Sequence, residues 1–290
     1  MGRRTPMGDN TAIQWTDATW NPVTGCSKIS PGCASCYAET MARRLKAMGL
    51  ARYRDGFAVR CHPEALEEPL RWRKPRRVFV VSMGDLFHDE VPDEFINDVL
   101  SMIDRCPQHV FQILTKRPAR MRAILTAGSS KPRANLWAGV TAEDQQRADE
   151  RIPLLLETPA AVRFVSVEPM VGPVDLTAVR IPGAPSPPFQ GNAMHSYRGF
   201  GERIDWVIAG CESGPRRRPA DLDWFRSLRD QCVEAGVPFF LKQAEDGCRR
   251  CGGHEAVCPM CGGEPGPIVK MPALDGRVWD QVPAPGGGAP

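Results

Sequence analysis

Several things this chain lacks narrow its class at once. No apolar run approaches the ~18 residues that a membrane-crossing helix needs, so no membrane partner is expected. Net charge is scarce too: 37 basic residues face 34 acidic ones, a formal +3. That balance excludes a protein that coats nucleic acid by bulk electrostatics, although the Arg-rich runs at 71–77 and 216–218 leave room for local phosphate contacts. The opening MGRRTPMGDN has no apolar stretch of the secretory kind. Histidine is rare, with five residues, and no carboxylate–histidine set has metal-ligand spacing. A hydrolase built on strand-end carboxylates and a divalent ion is therefore disfavoured.

Cysteine, by contrast, is abundant: eleven residues in 290. Clustered cysteines in a long chain without a secretory leader mean metal more often than disulfides, and a reducing, cytoplasmic compartment is expected. Cys26, Cys33 and Cys36 are spaced C-x6-C-x2-C, with no fourth cysteine nearby. Iron–sulfur clusters are held by thiolates, normally four, so three leave one iron open to bind something other than protein. Cys248, Cys251, Cys258 and Cys261 form two CxxC knuckles followed by glycines. That spacing predicts a structural, tetrahedral Zn2+ site, with a second iron–sulfur cluster or metal-free thiols as the other readings. Cys61, Cys106, Cys211 and Cys232 are scattered and read as small buried thiols.

Short apolar runs alternate with helical stretches along most of the chain. The runs are Val78–Ser82, Val110–Thr115, Leu136–Thr141, Val162–Val167, Trp206–Gly210 and Pro238–Lys242, with a further strand expected between Ile13 and Thr24. Helical spacing marks Tyr37–Gly49, Asp93–Arg105, Ala142–Glu157 and Asp221–Ala235. Continuous apolar strands each followed by a helix predict an α/β fold with a parallel sheet, as a complete or partial (β/α) barrel. An open doubly wound sheet is the alternative. Either arrangement puts its active site at the C-terminal strand ends, and those ends are polar here: SMGD, LTKR, GVTAED, SVEP, GCESG and LKQ. Helix capping is the competing role for Asp85, Glu143 and Asp144. The expected organisation is a leader at 1–12, a barrel at 13–245, a four-cysteine zinc-knuckle insertion at 246–264, a segment packing back on the barrel at 265–283 and a disordered tail at 284–290. The Pro/Gly-rich stretch 181–202 reads as a long loop over one rim.

The loop GCSKISPGCASCYA on this α/β pattern resembles that of radical S-adenosylmethionine (SAM) enzymes. More narrowly, the chain is similar to a phage-associated family of unknown function. The shared landmarks stand at Thr19–Cys26, Gly32–Ala38, Ser82–His88, Leu114–Pro118, Gly139–Asp144, Arg163–Pro169, Gly210–Pro215, Lys242–Gln243 and Leu274–Pro283. Two positions depart from pattern: the first cysteine gap holds six residues where radical SAM enzymes usually have three, and Cys211 stands where glycine is expected.

The resemblance implies a barrel of radical SAM type. A 4Fe–4S cluster would sit on Cys26, Cys33 and Cys36, with SAM on its open iron. Tyr37, Ser82, Met83, Asp85, Thr141, Glu143, Ser166 and Glu168 are then the expected cofactor-binding residues, and Lys116, Glu212, Lys242 and Gln243 face substrate. It also implies an electron donor such as flavodoxin or ferredoxin. The favoured substrate class is a nucleobase, nucleoside or DNA lesion, by analogy with the similar loop of spore-type DNA photolesion lyases. The competing reading keeps the fold without catalysis: zinc on the three cysteines plus His88, in a nucleic-acid or protein interaction module.

Overall fold

The apolar runs are rich in Val, Ile, Phe and Trp, residues that fit a pleated, buried surface. The computed structural model describes residues 11–128, 131–180, 190–195, 202–214, 217–245 and 267–284. The first ten residues, the tail from 285, most of the 181–202 stretch and the cysteines at 248, 251, 258 and 261 lie outside the described residues.

Eight strands form one sheet, ordered as they occur in the chain. They are β1 (Ala18–Trp20), β2 (Arg77–Val80), β3 (Val110–Thr115), β4 (Leu136–Thr141), β5 (Val162–Val167), β6 (Trp206–Gly210), β7 (Phe239–Glu245) and β8 (Ile268–Lys270). All neighbours pair parallel except β7 with β8, which is antiparallel. The main helices are α1 (Tyr37–Ala47), α2 (Asp93–Asp104), α3 (Pro118–Gly128), α4 (Gln145–Leu156) and α5 (Leu222–Ala235). The Asp144 carboxylate accepts from the Arg147 N–H at 2.8 Å and caps α4, the competing role foreseen for it. Among the described residues no helix is long and apolar enough to cross a membrane.

Alternation along the strands separates two cores. Val78, Val80, Phe111, Ile113, Val140, Val165, Val207 and Leu241 join the cluster that also contains the apolar faces of α2, α4 and α5. The intervening residues Phe79, Trp137, Phe164, Trp206, Ile208 and Phe240 pack on the other face around Trp15. In a flat sheet β2 and β6, four places apart, would lie about 19 Å from each other. The Trp15 ring is 4.7 Å from Phe79 on β2 and 6.0 Å from Trp206 on β6. Those two rings are thus within about 11 Å of each other, which requires a curled sheet with Trp15 in its concavity. The result is a mostly parallel half-barrel, in which β1 and β8 are the edge strands among the described residues.

The last described segment returns to the sheet. Leu241 N–H donates to the Trp279 carbonyl at 2.8 Å, and the Trp206 indole donates to the Gln281 carbonyl at 2.8 Å.

Candidate active site

The link from β1 to β2 carries the three cysteines and α1. It leaves β1 at the C-terminal edge, where the other parallel strands also end. Gly25, immediately before Cys26, has φ +86°, and a Cβ there would lie 2.1 Å from the Ala58 carbonyl oxygen. Only glycine fits that turn. Its N–H donates to the Met83 carbonyl at 2.9 Å, and Cys26 N–H donates to the Phe57 carbonyl at 3.2 Å.

Four further points fasten the loop to strand ends. Arg117, just past β3, donates from Nη1 to Cys26 Sγ at 3.4 Å and from Nη2 to Ser27 Oγ at 2.8 Å. His88 Nε2 bonds the same Ser27 hydroxyl at 2.8 Å, and its Nδ1 accepts from Glu90 N–H at 3.1 Å. Glu143, past β4 and fully buried, accepts from the Ser30 hydroxyl, from Gly32 N–H at 3.2 Å and from Arg151 at 2.8 Å. Arg218, held by Glu212 at 2.6 Å, donates to the Pro31 carbonyl at 2.9 Å.

The loop so held places all three thiols around one cavity of about 140 Å3. Tyr37, Ser82, Asp85, Lys116, Arg117 and Thr141 share its lining. Cys36 is the N-cap of α1. Burial and the Asp85 charge push the Cys26 thiol up, against the pull of Arg117. At Cys33 burial acts in the same sense but is outweighed by a hydrogen bond from the Ile29 backbone, the Lys116 charge and the Ser30 hydroxyl, so that thiol is held below its usual value. Tyr37 is half-exposed as a residue, yet its hydroxyl donates to the Ser82 carbonyl and burial pushes its pKa well up.

Of the residues expected at the cofactor, Tyr37, Ser82, Asp85 and Thr141 line the cavity. Met83 packs instead with Ala38, Ala42 and Tyr53 beneath α1. Glu143 spends its oxygens on the loop and on Arg151, and Ser166 is buried at the end of β5. Glu168 pairs with Lys242 at 2.5 Å across β6, where Gly210 leaves room for the Glu168 side chain. Of the residues expected to face substrate, Lys116 lines the cavity, Glu212 is committed to Arg218, and buried Gln243 donates to the Cys211 carbonyl at 2.8 Å. Some members of the Arg-rich runs are engaged, Arg217 with Glu245, Arg77 with Asp17 and Arg76 over the Trp72 ring, whereas Arg71, Arg73 and Lys74 are exposed.

Sequence reasoning missed Arg117, Arg151, Arg218 and Ser30 as site residues. Arg117 stood in the LTKRP landmark, but nothing local distinguishes an arginine aimed at a sulfur from one aimed at solvent. A larger cavity, about 590 Å3, opens where β5, β6 and β7 begin, lined by Val162, Asp205, Pro238 and Trp279. The smaller cavity is the one that gathers Cys26, Cys33 and Cys36.

A family model described as "Protein of unknown function (DUF5131)" matches residues 10–283. No curated protein matches the chain. Two solved structures of spore photoproduct lyase resemble it, each at 14% identity and each covering 58% of this chain and 49% of the other. One is complexed with dinucleoside spore photoproduct, TM-score 0.41. The other is a double mutant with bound AdoMet and dinucleoside spore photoproduct, TM-score 0.40. The chain spans about half the length of those proteins.

Proposed function

The chain belongs to this family of proteins of unknown function (DUF5131), whose description carries no activity, and from the site itself we propose a radical SAM-type iron–sulfur enzyme. The observation that carries the reading is that Cys26, Cys33 and Cys36, from one short loop, line a single cavity at the C-terminal strand ends. A polynuclear cluster takes one thiolate per iron, so it needs sulfurs spread around a cavity rather than packed on a point. Among the described residues no group of three or more His, Cys, Asp or Glu is placed to hold a single metal ion. His88, the fourth ligand of the zinc alternative, has both ring nitrogens engaged. Three thiols from one loop on one cavity are the donor set that a 4Fe–4S cluster with one open iron would take.

Held by Cys26, Cys33 and Cys36, such a cluster would supply one-electron reductive chemistry toward a SAM molecule bound beside it. The protein's part is orientation and exclusion of water. Arg117, His88, Glu143 and Arg218 hold the thiol loop rigid from four sides. Lys116 sets a positive charge beside Cys33 and offsets the accumulated negative charge of the sulfurs. Ser82 and Thr141 offer hydroxyls on the lining, and the Glu168–Lys242 pair offers a carboxylate and an ammonium on the same strand edge. A nucleobase, nucleoside or DNA lesion is the substrate class we assign, supported by the likeness of the cysteine loop to that of photolesion lyases. An external one-electron donor completes the scheme.

Anaerobic reconstitution with iron and sulfide tests the reading. Wild type should turn brown, with charge-transfer absorbance, and form 5′-deoxyadenosine once dithionite and SAM are added. Cys33→Ser should form none. Equal traces from both proteins, or a colourless protein carrying zinc on the three cysteines, would overturn it.

A further inference from the structure

Arg117 is the one cation in hydrogen-bond contact with a sulfur of the triad among the described residues, and its setting is unlike that of a surface arginine. Nη1 lies 3.4 Å from Cys26 Sγ and 3.3 Å from Asp85 Oδ2, while Nη2 holds Ser27 Oγ at 2.8 Å. The side chain is 9% exposed and that of Asp85 is 6% exposed. Asp85 is fixed in turn: it accepts from the Thr115 hydroxyl at 2.8 Å, from Lys116 N–H at 3.2 Å and from Phe87 N–H at 3.0 Å. Thr115 Oγ1 accepts from Arg117 N–H at 2.9 Å and closes the ring of contacts. The guanidinium therefore has one available place, between a carboxylate and a sulfur.

We propose that Arg117 is a positioning and tuning residue: its N–H donated to Cys26 Sγ fixes that ligand and raises the reduction potential of the cluster held there, while Asp85 lowers it. The proposal rests on the cluster reading above. Hydrogen bonds to the sulfurs and nearby charge are among the levers that set an iron–sulfur potential. A charge-assisted donor stabilises the more negative, reduced state. Exclusion of water makes both the Arg117 and the Asp85 effects larger than at a surface. The two residues act on the same electron with opposite sign. A bare electrostatic cradle would have placed a lysine here. Arginine serves both partners at once because its planar fork holds several donors in fixed directions.

The test is the midpoint potential of the reconstituted wild type, Arg117→Met, Arg117→Lys and Asp85→Asn, read by anaerobic titration of the charge-transfer band with dithionite. Arg117→Met should lower the potential by about tenfold in the reduction equilibrium, or about 59 mV for a one-electron couple. Arg117→Lys should recover part of that shift. Asp85→Asn, which keeps the shape of the carboxylate but not its charge, should move the potential upward. A purely structural role would shift Arg117→Met and Asp85→Asn in the same direction or shift neither, and either outcome overturns the proposal. Should Arg117→Met take up no cluster, Arg117→Lys and Asp85→Asn still decide by the sign of their shifts. A wild type that takes up no iron at all is a distinct result, which removes the parent reading and this one with it.

Discussion

Glu143 is fully buried, yet it carries a charge, and its partners explain how. Arg151 donates to one oxygen at 2.8 Å, while Ser30 and Gly32 of the cysteine loop donate to the other. Removing one partner of a buried pair strands the other charge, which costs roughly 3–5 kcal/mol. Glu143→Leu should lose about that much in chemical denaturation, and the loop should become protease-sensitive first. Burial opposes ionisation of Glu143, but Arg151, Lys116 and the Ser30 hydroxyl outweigh it and hold the carboxyl below its ordinary 4.5. Its contribution to stability is thus complete above pH 4.5 and is lost as the pH falls through the lower folded value. Thermal melts across the acid range should show wild type losing stability below pH 4.5 more steeply than Glu143→Gln; parallel curves would exclude this linkage. The residue was visible in the sequence as a polar strand end. Its partners were not, because Ser30 is 113 positions away and nothing local joins them.

Elements were more legible than partners. The runs at 110–115, 136–141, 162–167 and 206–210 are strands with those limits, since apolar β-branched and aromatic residues bounded by polar turns leave little choice. Helix α1 follows the spacing of Ala38, Ala42 and Leu45. Helix α3 is harder to read from its sequence: the buried side of PARMRAILTAG rests on Pro118, Met121 and Leu125, and the proline opens the stretch without adding to a run of large apolar side chains. The two-residue pairing of Val23–Thr24 with Arg60–Cys61 was unreadable for another reason. Such ladders are set by tertiary approach, not by propensity. Within β4, Gly139 shows what the inner face demands: a Cβ there would lie 2.4 Å from the Phe164 ring on β5. Gly139→Ala should cost about 1–3 kcal/mol by overpacking. Combined with Phe164→Leu, the loss should be smaller than the sum of the two separate losses. Strict additivity in urea denaturation would show that the ring can move aside.

For the whole molecule, the sequence announced parallel strands and a polar rim but could not say whether the wall closes. Closure depends on the relation between the two edge strands, and no local pattern encodes that. Among the described residues, strands β1 and β8 form the two edges and do not pair with each other. Strand β8 also bears on the Cys248–Cys261 group. The rungs Gln243–Lys270, Ala244–Val269 and Glu245–Ile268 join the two ends of the chain that carries those cysteines. With both ends clamped, zinc on the four thiolates would staple only the segment between them. Chelation should raise proteolysis within 246–266 and leave the thermal midpoint of the sheet where it was. Global unfolding on chelation would contradict a local staple.

The curl has an optical consequence. Trp15 and Trp137 lie 6.0 and 5.8 Å from Trp206, near edge-on in both cases. Indoles that close couple their electronic transitions, which gives an intense signed couplet in ultraviolet circular dichroism. Flattening of the sheet would part the rings and weaken the couplet, so the chromophores inside this wall gauge its curvature without a label.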